Sequence, residues 1–230
     1  MILNRPYADS KKIHLGFSVG LNFQNLAITN NGNLWYASQA PILPEEWYAD
    51  VPAYSPGFCV NVLADYRIAE HFNLRLSPGL YFGNKVVHFL NANGSPGWLA
   101  DPLNKAYYEQ RQNVKSTYIV VPLDLKISAK RYHNMRPYFT GGIMYTHDLA
   151  KERGEQYKLK DSDVMLTLGM GCDFYMPFFK LCPEVKFCFG LKNLLDRNRP
   201  DLAENEDGLK FTEAVDKIKS DMVVVTFYFE

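Results

Sequence analysis

The sequence lacks any long apolar run. Its longest apolar stretches are short, such as the triplet Val223–Val225, and its mean hydropathy is -0.24. A transmembrane helix needs about 20 consecutive apolar residues. The composition therefore excludes a helical membrane protein.

The sequence also lacks a charge excess, a metal-binding cysteine pattern and a signal peptide. Lys and Arg total 25 and Asp and Glu total 25, which gives no reason to expect nucleic acid as a partner. Cys59, Cys172, Cys182 and Cys188 form no C-x-x-C pair, so we predict no metal, no cofactor and free thiols. No charged segment followed by an apolar stretch opens the chain, so an exported form is expected to have lost its signal peptide.

What the sequence has is aromatic residues, at 14%, and a two-residue alternation of apolar and polar side chains. Strands of roughly ten residues with one apolar and one polar face are typical of membrane-spanning β-barrels. We therefore predict an all-β fold, a single domain over residues 1–230 that forms an eight-stranded antiparallel transmembrane β-barrel. The eight alternating segments are 14–23, 58–68, 73–83, 118–128, 136–146, 164–175, 181–191 and 223–229.

The connections between these segments alternate strictly between long and short. Outer-membrane barrels have short periplasmic turns and long external loops, so both termini are expected in the periplasm, with residues 1–11 as a lead-in. In the last long loop, residues 192–219, Phe211, Ala214, Val215 and Ile218 fall at helical spacing, which predicts a short amphipathic helix.

The polar face carries a nearly balanced set of charges. The lumen of an eight-stranded barrel is only wide enough for side chains, and an unpaired buried charge is costly, so these charges are expected to pair and close the lumen. A soluble lipocalin-like barrel is the alternative fold, with its apolar face inside. The predicted lumen charges are Asp65, Arg67, Arg75, Asp124, Lys126, Arg136, Asp173, Glu184 and Lys186.

The three Trp residues lie in the long loops. Exposed apolar surface in a loop often marks a partner site, although such a loop can equally pack on its own barrel mouth. The candidate partner-binding residues are Trp35, Tyr36, Trp47, Tyr48 and Trp98. Deletion of the region from Trp35 to Trp47 is expected to abolish function while the barrel still inserts.

Five stretches of the chain, 14–22, 56–67, 73–83, 121–126 and 136–142, together with the lead-in Asn4–Tyr7, resemble the PorT family of outer-membrane barrels from the Bacteroidota. The stretches include Val121-Pro122-Leu123-Asp124-Leu125-Lys126 and the segment Arg136-Pro137-Tyr138. The resemblance implies a part in the type IX protein secretion system, with no reaction catalysed. It implies membrane lipids and other secretion proteins, including a larger translocon barrel, as partners.

Two other functions remain open from the sequence. A generic small barrel could serve adhesion or envelope structure, which a deletion assayed for export of type IX cargo separates from secretion. A lipid-modifying barrel enzyme needs a nucleophile and a base near the rim. His88 and His147 lie in that region without a Ser partner at an informative spacing, and lipid analysis of a deletion strain tests the enzyme.

Overall fold

A computed structural model describes residues 3–30, 34–35, 45–50, 55–91, 109–149, 160–195 and 215–230 of the chain. Over these residues the fold is all-β, apart from a 3-10 helix at Ala8–Ser10. The strands are β1 (Ile13–Asn30), β2 (Leu34–Trp35), β3 (Glu45–Asp50), β4 (Ser55–Arg67), β5 (Phe72–Leu76), β6 (Gly79–Asn91), β7 (Glu109–Ser128), β8 (Met135–Asp148), β9 (Ser162–Tyr175), β10 (Lys180–Gly190) and β11 (Val215–Phe229).

The sheet closes on itself. Strand β1 pairs antiparallel with β11 on one side and with β4 on the other, so no barrel edge is left between first and last strands. Strands β5 and β6 both lie between β4 and β7 and together form one barrel strand. The prediction of an eight-stranded antiparallel barrel is confirmed.

The third barrel strand is interrupted at Ser77–Pro78, where a continuous strand was expected. Proline has no N–H to donate to a ladder, so regular pairing stops there. The carbonyl of Pro78 still accepts from the N–H of Val62 at 2.9 Å, which keeps β4 attached across the interruption.

The predicted alternation is also confirmed. Along β1, Leu15, Phe17, Val19 and Leu21 are exposed on the outer wall, whereas Ser18 and Asn22 are buried in the lumen. The same parity runs around the barrel, where Phe139 is 64% exposed and its neighbour Tyr138 only 2%. Since side chains alternate strictly in a strand, an apolar wall and a filled lumen arise from the same pattern.

Several strands are longer than the sequence pattern predicted. Strand β7 has 20 residues and β1 has 18, whereas about 9–11 suffice to cross a bilayer. The ladders of β1 with β11 and of β6 with β7 continue through polar residues. Where a strand extends beyond the lipid, its outer face no longer has to be apolar. Backbone pairing between strands therefore continues after the alternation of apolar and polar side chains has ended.

The predicted helix in the last long loop is wrong over the part that is described. Val215 and Ile218 belong to β11, where they pair with Asn30 and Ile28 of β1. Ile218 shares the inward parity of Met222 and is 1% exposed, so strand parity accounts for its apolar character. Phe211 and Ala214 lie outside the described residues, and the loop itself ends at residue 214.

The two ends of the barrel differ as expected. Short connections at 68–71, 129–134 and 176–179 share one end, which we call the short-turn end, with both chain termini. The opposite end, which we call the long-loop end, receives residues 31–54, 92–108, 149–161 and 191–214. Among the described residues, no helix is long and apolar enough to cross a membrane.

Candidate functional site

The lumen is filled by side chains, and its short-turn half is organised around one arginine. Arg75 enters from β5 and is fully buried. Its guanidinium lies 3.0 Å from the Glu184 carboxylate, 3.1 Å from Asp65 and 3.2 Å from Glu230. These three carboxylates come from β4, β10 and the chain end after β11, so a single cation ties opposite walls together. A planar guanidinium with five donors suits such multiple pairing.

Two lysines extend this network. The Lys126 ammonium donates to both Asp173 carboxylate oxygens at 2.8 Å, joining β7 to β9. Lys180 pairs with Glu230 and lies 3.8 Å from Asp173, so it connects the Lys126 pair to the Arg75 cluster.

A third lysine carries the network towards the middle of the barrel. Lys186 lies 2.6 Å from Asp124 and 3.2 Å from Glu184. Asp124 also accepts from the Thr167 hydroxyl at 2.6 Å. The hydroxyl and Lys186 thus satisfy both oxygens of this buried carboxylate, as burial of a charge requires.

Aromatic rings fill the space between the charges. The Arg75 guanidinium lies 4.7 Å from the Tyr228 ring centroid, and the Lys126 ammonium lies 4.0 Å from that of Tyr138. Gly171 makes room for the Tyr138 ring, because a Cβ at this position would lie 2.5 Å from the ring and 2.6 Å from the Pro183 carbonyl. Charged and aromatic groups therefore pack as one solid layer.

The lead-in covers the short-turn mouth. Asp9 of the 3-10 helix accepts from the Tyr175 hydroxyl at 2.6 Å and lies 3.5 Å from Arg136. The carbonyl of Ala8 is 2.9 Å from the His14 ring, and the Ala8 side chain is buried. The chain before β1 is thereby folded back over the lumen.

Arg131 holds the start of this lead-in. Its guanidinium donates to the carbonyls of Asn4 and Arg5 and packs 3.6 Å from the Tyr175 ring centroid. Asn4 in turn donates from its side chain to the Tyr175 carbonyl at 2.9 Å. Side chains from the β7–β8 turn and β9 therefore fix the segment across the mouth.

The long-loop half of the lumen is closed by different chemistry. Its inward side chains include a buried cluster of apolar and weakly polar groups, which lies beside a hydrogen-bonded set formed by Asn22, Gln24 and Ser116. The cluster consists of Cys59, Tyr81, Tyr118, Val120, Met144, Met165, Cys188, Met222 and Val224. Met144 and Val120 are fully buried, so this half is packed like a protein core.

Residues just after β10 add to this closure. Leu194 and Leu195 are 3% and 4% exposed. The Leu194 N–H donates to the Ile218 carbonyl at 2.8 Å, and the Asn193 side chain accepts from the N–H of Ile218 at 3.1 Å. The chain leaving β10 is thus bound to β11 with two apolar side chains covered.

The structure joins seven of the nine predicted lumen charges through ion pairs inside the lumen. Arg136 is buried but pairs instead with Asp9 at the short-turn mouth. Arg67 lies at the β4–β5 turn, where its Nε donates to the Ala69 carbonyl at 3.4 Å. Arg67 is the next inward-facing residue after Asp65 along β4, and at this point the strand has passed the end of the lumen.

Three network members were missed by the sequence reasoning. Lys180 and Glu230 share the inward parity of Glu184 and Tyr228, so continuing the alternation to the strand ends would have found them. Asp9 precedes the first strand, where no periodicity exists to reveal it.

The predicted partner-binding residues lie partly within the described backbone. Trp35 belongs to β2, and Trp47 and Tyr48 belong to β3, which pairs with the outer part of β6. Tyr36 and Trp98 lie outside the described residues.

The described part of the chain holds no group of three His, Cys, Asp or Glu residues placed to bind a metal ion. All four cysteines have free thiols. Cys182 and Cys188 face the lumen from the same strand.

A closed barrel with an apolar outer wall and a filled polar lumen defines the class of outer-membrane β-barrel proteins. Residues 4–196 match the model of the outer membrane protein beta-barrel domain. The chain belongs to that family and is an outer-membrane protein.

Solved structures that match the chain do so at low identity. Neisserial surface protein A is 8% identical with a TM-score of 0.43, covering 95% of this chain and 98% of that one. Ail, the attachment invasion locus protein of Yersinia pestis, is 10% identical with a TM-score of 0.40 over 95% and 98%. The outer membrane protease OmpT of Escherichia coli is 14% identical with a TM-score of 0.37 over 95% and 94%. No curated protein matches the chain.

Proposed function

We propose that this chain is a non-conducting accessory component of the type IX protein secretion system, with its termini and short turns in the periplasm. One observation carries the first part: side chains fill both halves of the lumen, with ion pairs in one half and a mainly apolar cluster beside neutral polar groups in the other. A barrel with no open path acts through its loops and its outer wall.

The assignment to type IX secretion is supported by the resemblance of the strand segments to the PorT family. Val121–Lys126 and Arg136–Gly142 lie on the adjacent strands β7 and β8, whose inward charges belong to the lumen network. These two segments thus contain Asp124, Lys126 and Arg136, which are among the charged residues that fill the lumen and its short-turn mouth. In this proposal the barrel binds a larger translocon barrel and leaves passage of cargo to that partner.

The long-loop end is the proposed contact region. Strand β3 extends the sheet beyond β6 and carries Trp47 and Tyr48 on backbone paired with 88–91. Although the sequence pattern predicts a loop over residues 45–50, they form a strand that is paired with the barrel wall. Aromatic residues are enriched among the contact groups that dominate protein interfaces, so this strand is the proposed contact.

The test is affinity purification of a tagged chain from outer membranes, combined with a secretion assay of a deletion strain. A larger barrel that co-purifies, together with loss of type IX cargo export, supports the proposal. Normal export in the deletion strain contradicts it and leaves adhesion or envelope structure as the role.

A sharper variant removes residues 35–48, which include Trp35, Trp47 and Tyr48, and replaces them with a short flexible linker. Secretion and co-purification are expected to fall while the barrel still inserts. A replacement of the same kind within 151–159 serves as the control loop. Equal secretion by both variants counts against a contact at β2 and β3.

A further inference from the structure

The two ends of the barrel carry opposite charge. The segments at the short-turn end, residues 3–12, 67–71, 129–134 and 176–179, contain six basic and two acidic residues. The segments at the long-loop end contain nine basic and thirteen acidic residues. The overall net charge of zero therefore hides a basic end. The short-turn charges are Arg5, Lys11, Lys12, Arg67, Lys130 and Arg131 against Asp9 and Glu70.

Half of these cations have no role in holding the fold. Lys11, Lys12 and Lys130 are exposed, and within the described part of the chain none of them pairs with a carboxylate. Arg131 and Arg67 instead donate to backbone carbonyls, and Asp9 is occupied by Tyr175 and Arg136. The three lysines are thus available for an external anion.

Aromatic side chains lie among these lysines. Tyr7 is 80% exposed, Tyr132 is 72% and Phe178 is 92%. They come from the lead-in, the β7–β8 turn and the β9–β10 turn, so they are spread around the same rim as the lysines. Amphipathic rings at the end of a membrane-spanning element mark the depth of the lipid headgroups.

We propose that the basic rim at the short-turn end binds the headgroups of anionic phospholipids in the adjacent leaflet. The rim is defined by Lys11, Lys12 and Lys130 with Tyr7, Tyr132 and Phe178. Rings at headgroup depth place the neighbouring ammonium groups beside lipid phosphates. A soluble acidic protein could bind the ammonium groups without aromatic rings at this depth, so the rings favour lipid as the partner. Each Lys or Arg near an anionic membrane surface contributes about fivefold to binding at moderate ionic strength.

The test uses the whole chain refolded into nanodiscs, with phosphatidylglycerol and phosphatidylcholine of matched acyl chains at equal amounts. After transfer to detergent, native mass spectrometry counts the lipids of each kind that stay bound. The unaltered protein is expected to retain phosphatidylglycerol in severalfold excess. The triple variant K11E/K12E/K130E is expected to lose that preference.

A matched control places the same charge change at the other end. Lys160, Lys192 and Lys217 are exposed at the long-loop end, so K160E/K192E/K217E has the same net charge as the rim variant. Its preference is expected to remain. Heat-modifiable gel mobility shows whether each variant is folded, and a third variant, K11Q/K12Q/K130Q, removes the cations without adding anions.

Three results overturn the proposal. Equal loss of preference in both triple variants would make net charge the cause, and retention in K11Q/K12Q/K130Q would remove the lysines as the cause. An unaltered barrel without a lipid preference would leave an acidic protein as the partner of this rim. Glycerol phosphate is expected not to displace the lipid, and full displacement would indicate a site for a free phosphate.

Discussion

The two halves of the lumen are closed by different chemistry within one barrel. In the short-turn half, Arg75 and Lys126 are surrounded by carboxylates and tyrosine rings. In the long-loop half, the inward positions hold methionine, cysteine and tyrosine beside the neutral polar side chains of Asn22, Gln24 and Ser116. Side chains fill the lumen in both halves. In the short-turn half they do so through ion pairs, in which each buried charge is stabilised by its partner. In the long-loop half they do so through close packing.

Because of this difference, substitutions in the two halves lower the stability of the barrel for different reasons. Removal of one ion-pair partner leaves the other charge buried without compensation, which is strongly destabilising. Removal of an apolar side chain leaves a cavity, whose cost depends on how far the surroundings collapse. Unfolding by urea in phosphatidylcholine vesicles, followed by circular dichroism, measures the free energy of unfolding that separates these two causes.

The largest effect is expected from Arg75→Met. Asp65, Glu184 and Glu230 lose their shared cation while fully enclosed by the barrel, so the free energy of unfolding should fall by about 3–5 kcal/mol. The control is Arg67→Met at the turn, which should change stability by less than about 0.5 kcal/mol. Similar costs for the two variants would show that the network does not hold the barrel together.

In the long-loop half, Met144→Ala should lower the free energy of unfolding by about 2–4 kcal/mol, because it leaves a cavity in a packed cluster. Met170→Ala on β9 is the matched control, since Met170 is 54% exposed on the outer wall and lipid can fill its place. If both substitutions cost the same, the long-loop half is not packed as described.

Within the charged half, Gly171→Ala should cost about 1–3 kcal/mol, because the new Cβ collides with the Tyr138 ring and the Pro183 carbonyl. Gly141→Ala faces the outer wall, where the nearest atom to an added Cβ is 3.6 Å away. This control is expected to be near neutral. A neutral Gly171→Ala would mean that the Tyr138 ring can move without loss, and the solid layer of charges and rings would be refuted.

The smallest effect is expected at the mouth of the charged half. Tyr175→Phe removes the hydroxyl that donates to Asp9 and should cost about 1 kcal/mol. Protease cleavage between residues 3 and 12 should become faster, because the lead-in loses one of its attachments. Tyr132→Phe, at an exposed ring in the neighbouring turn, is the control. Unchanged cleavage in Tyr175→Phe relative to this control would show that Asp9 does not fasten the lead-in.

The charged half could be largely predicted from the sequence, because strand parity places Asp65, Asp124 and Glu184 inside and a small lumen forces charges to pair. The packing of the long-loop half could not, since Met144, Cys59 and Tyr81 follow the same inward parity but their residue types do not reveal which side chains they contact across the lumen. The sequence does not reveal the role of Asp9, because Asp9 lies before any periodic segment. The helix prediction was wrong because Ile218 follows the strand period and not the helical one.

The most direct test of the central claim is conductance of the purified barrel in a planar lipid bilayer. With the lumen filled by the Arg75 network and the Met144 cluster, insertion of the folded protein is expected to give no current steps above those of the bilayer alone. Reproducible, steady conductance steps from the unaltered protein would contradict a closed barrel, and with it a function confined to the loops and the outer wall.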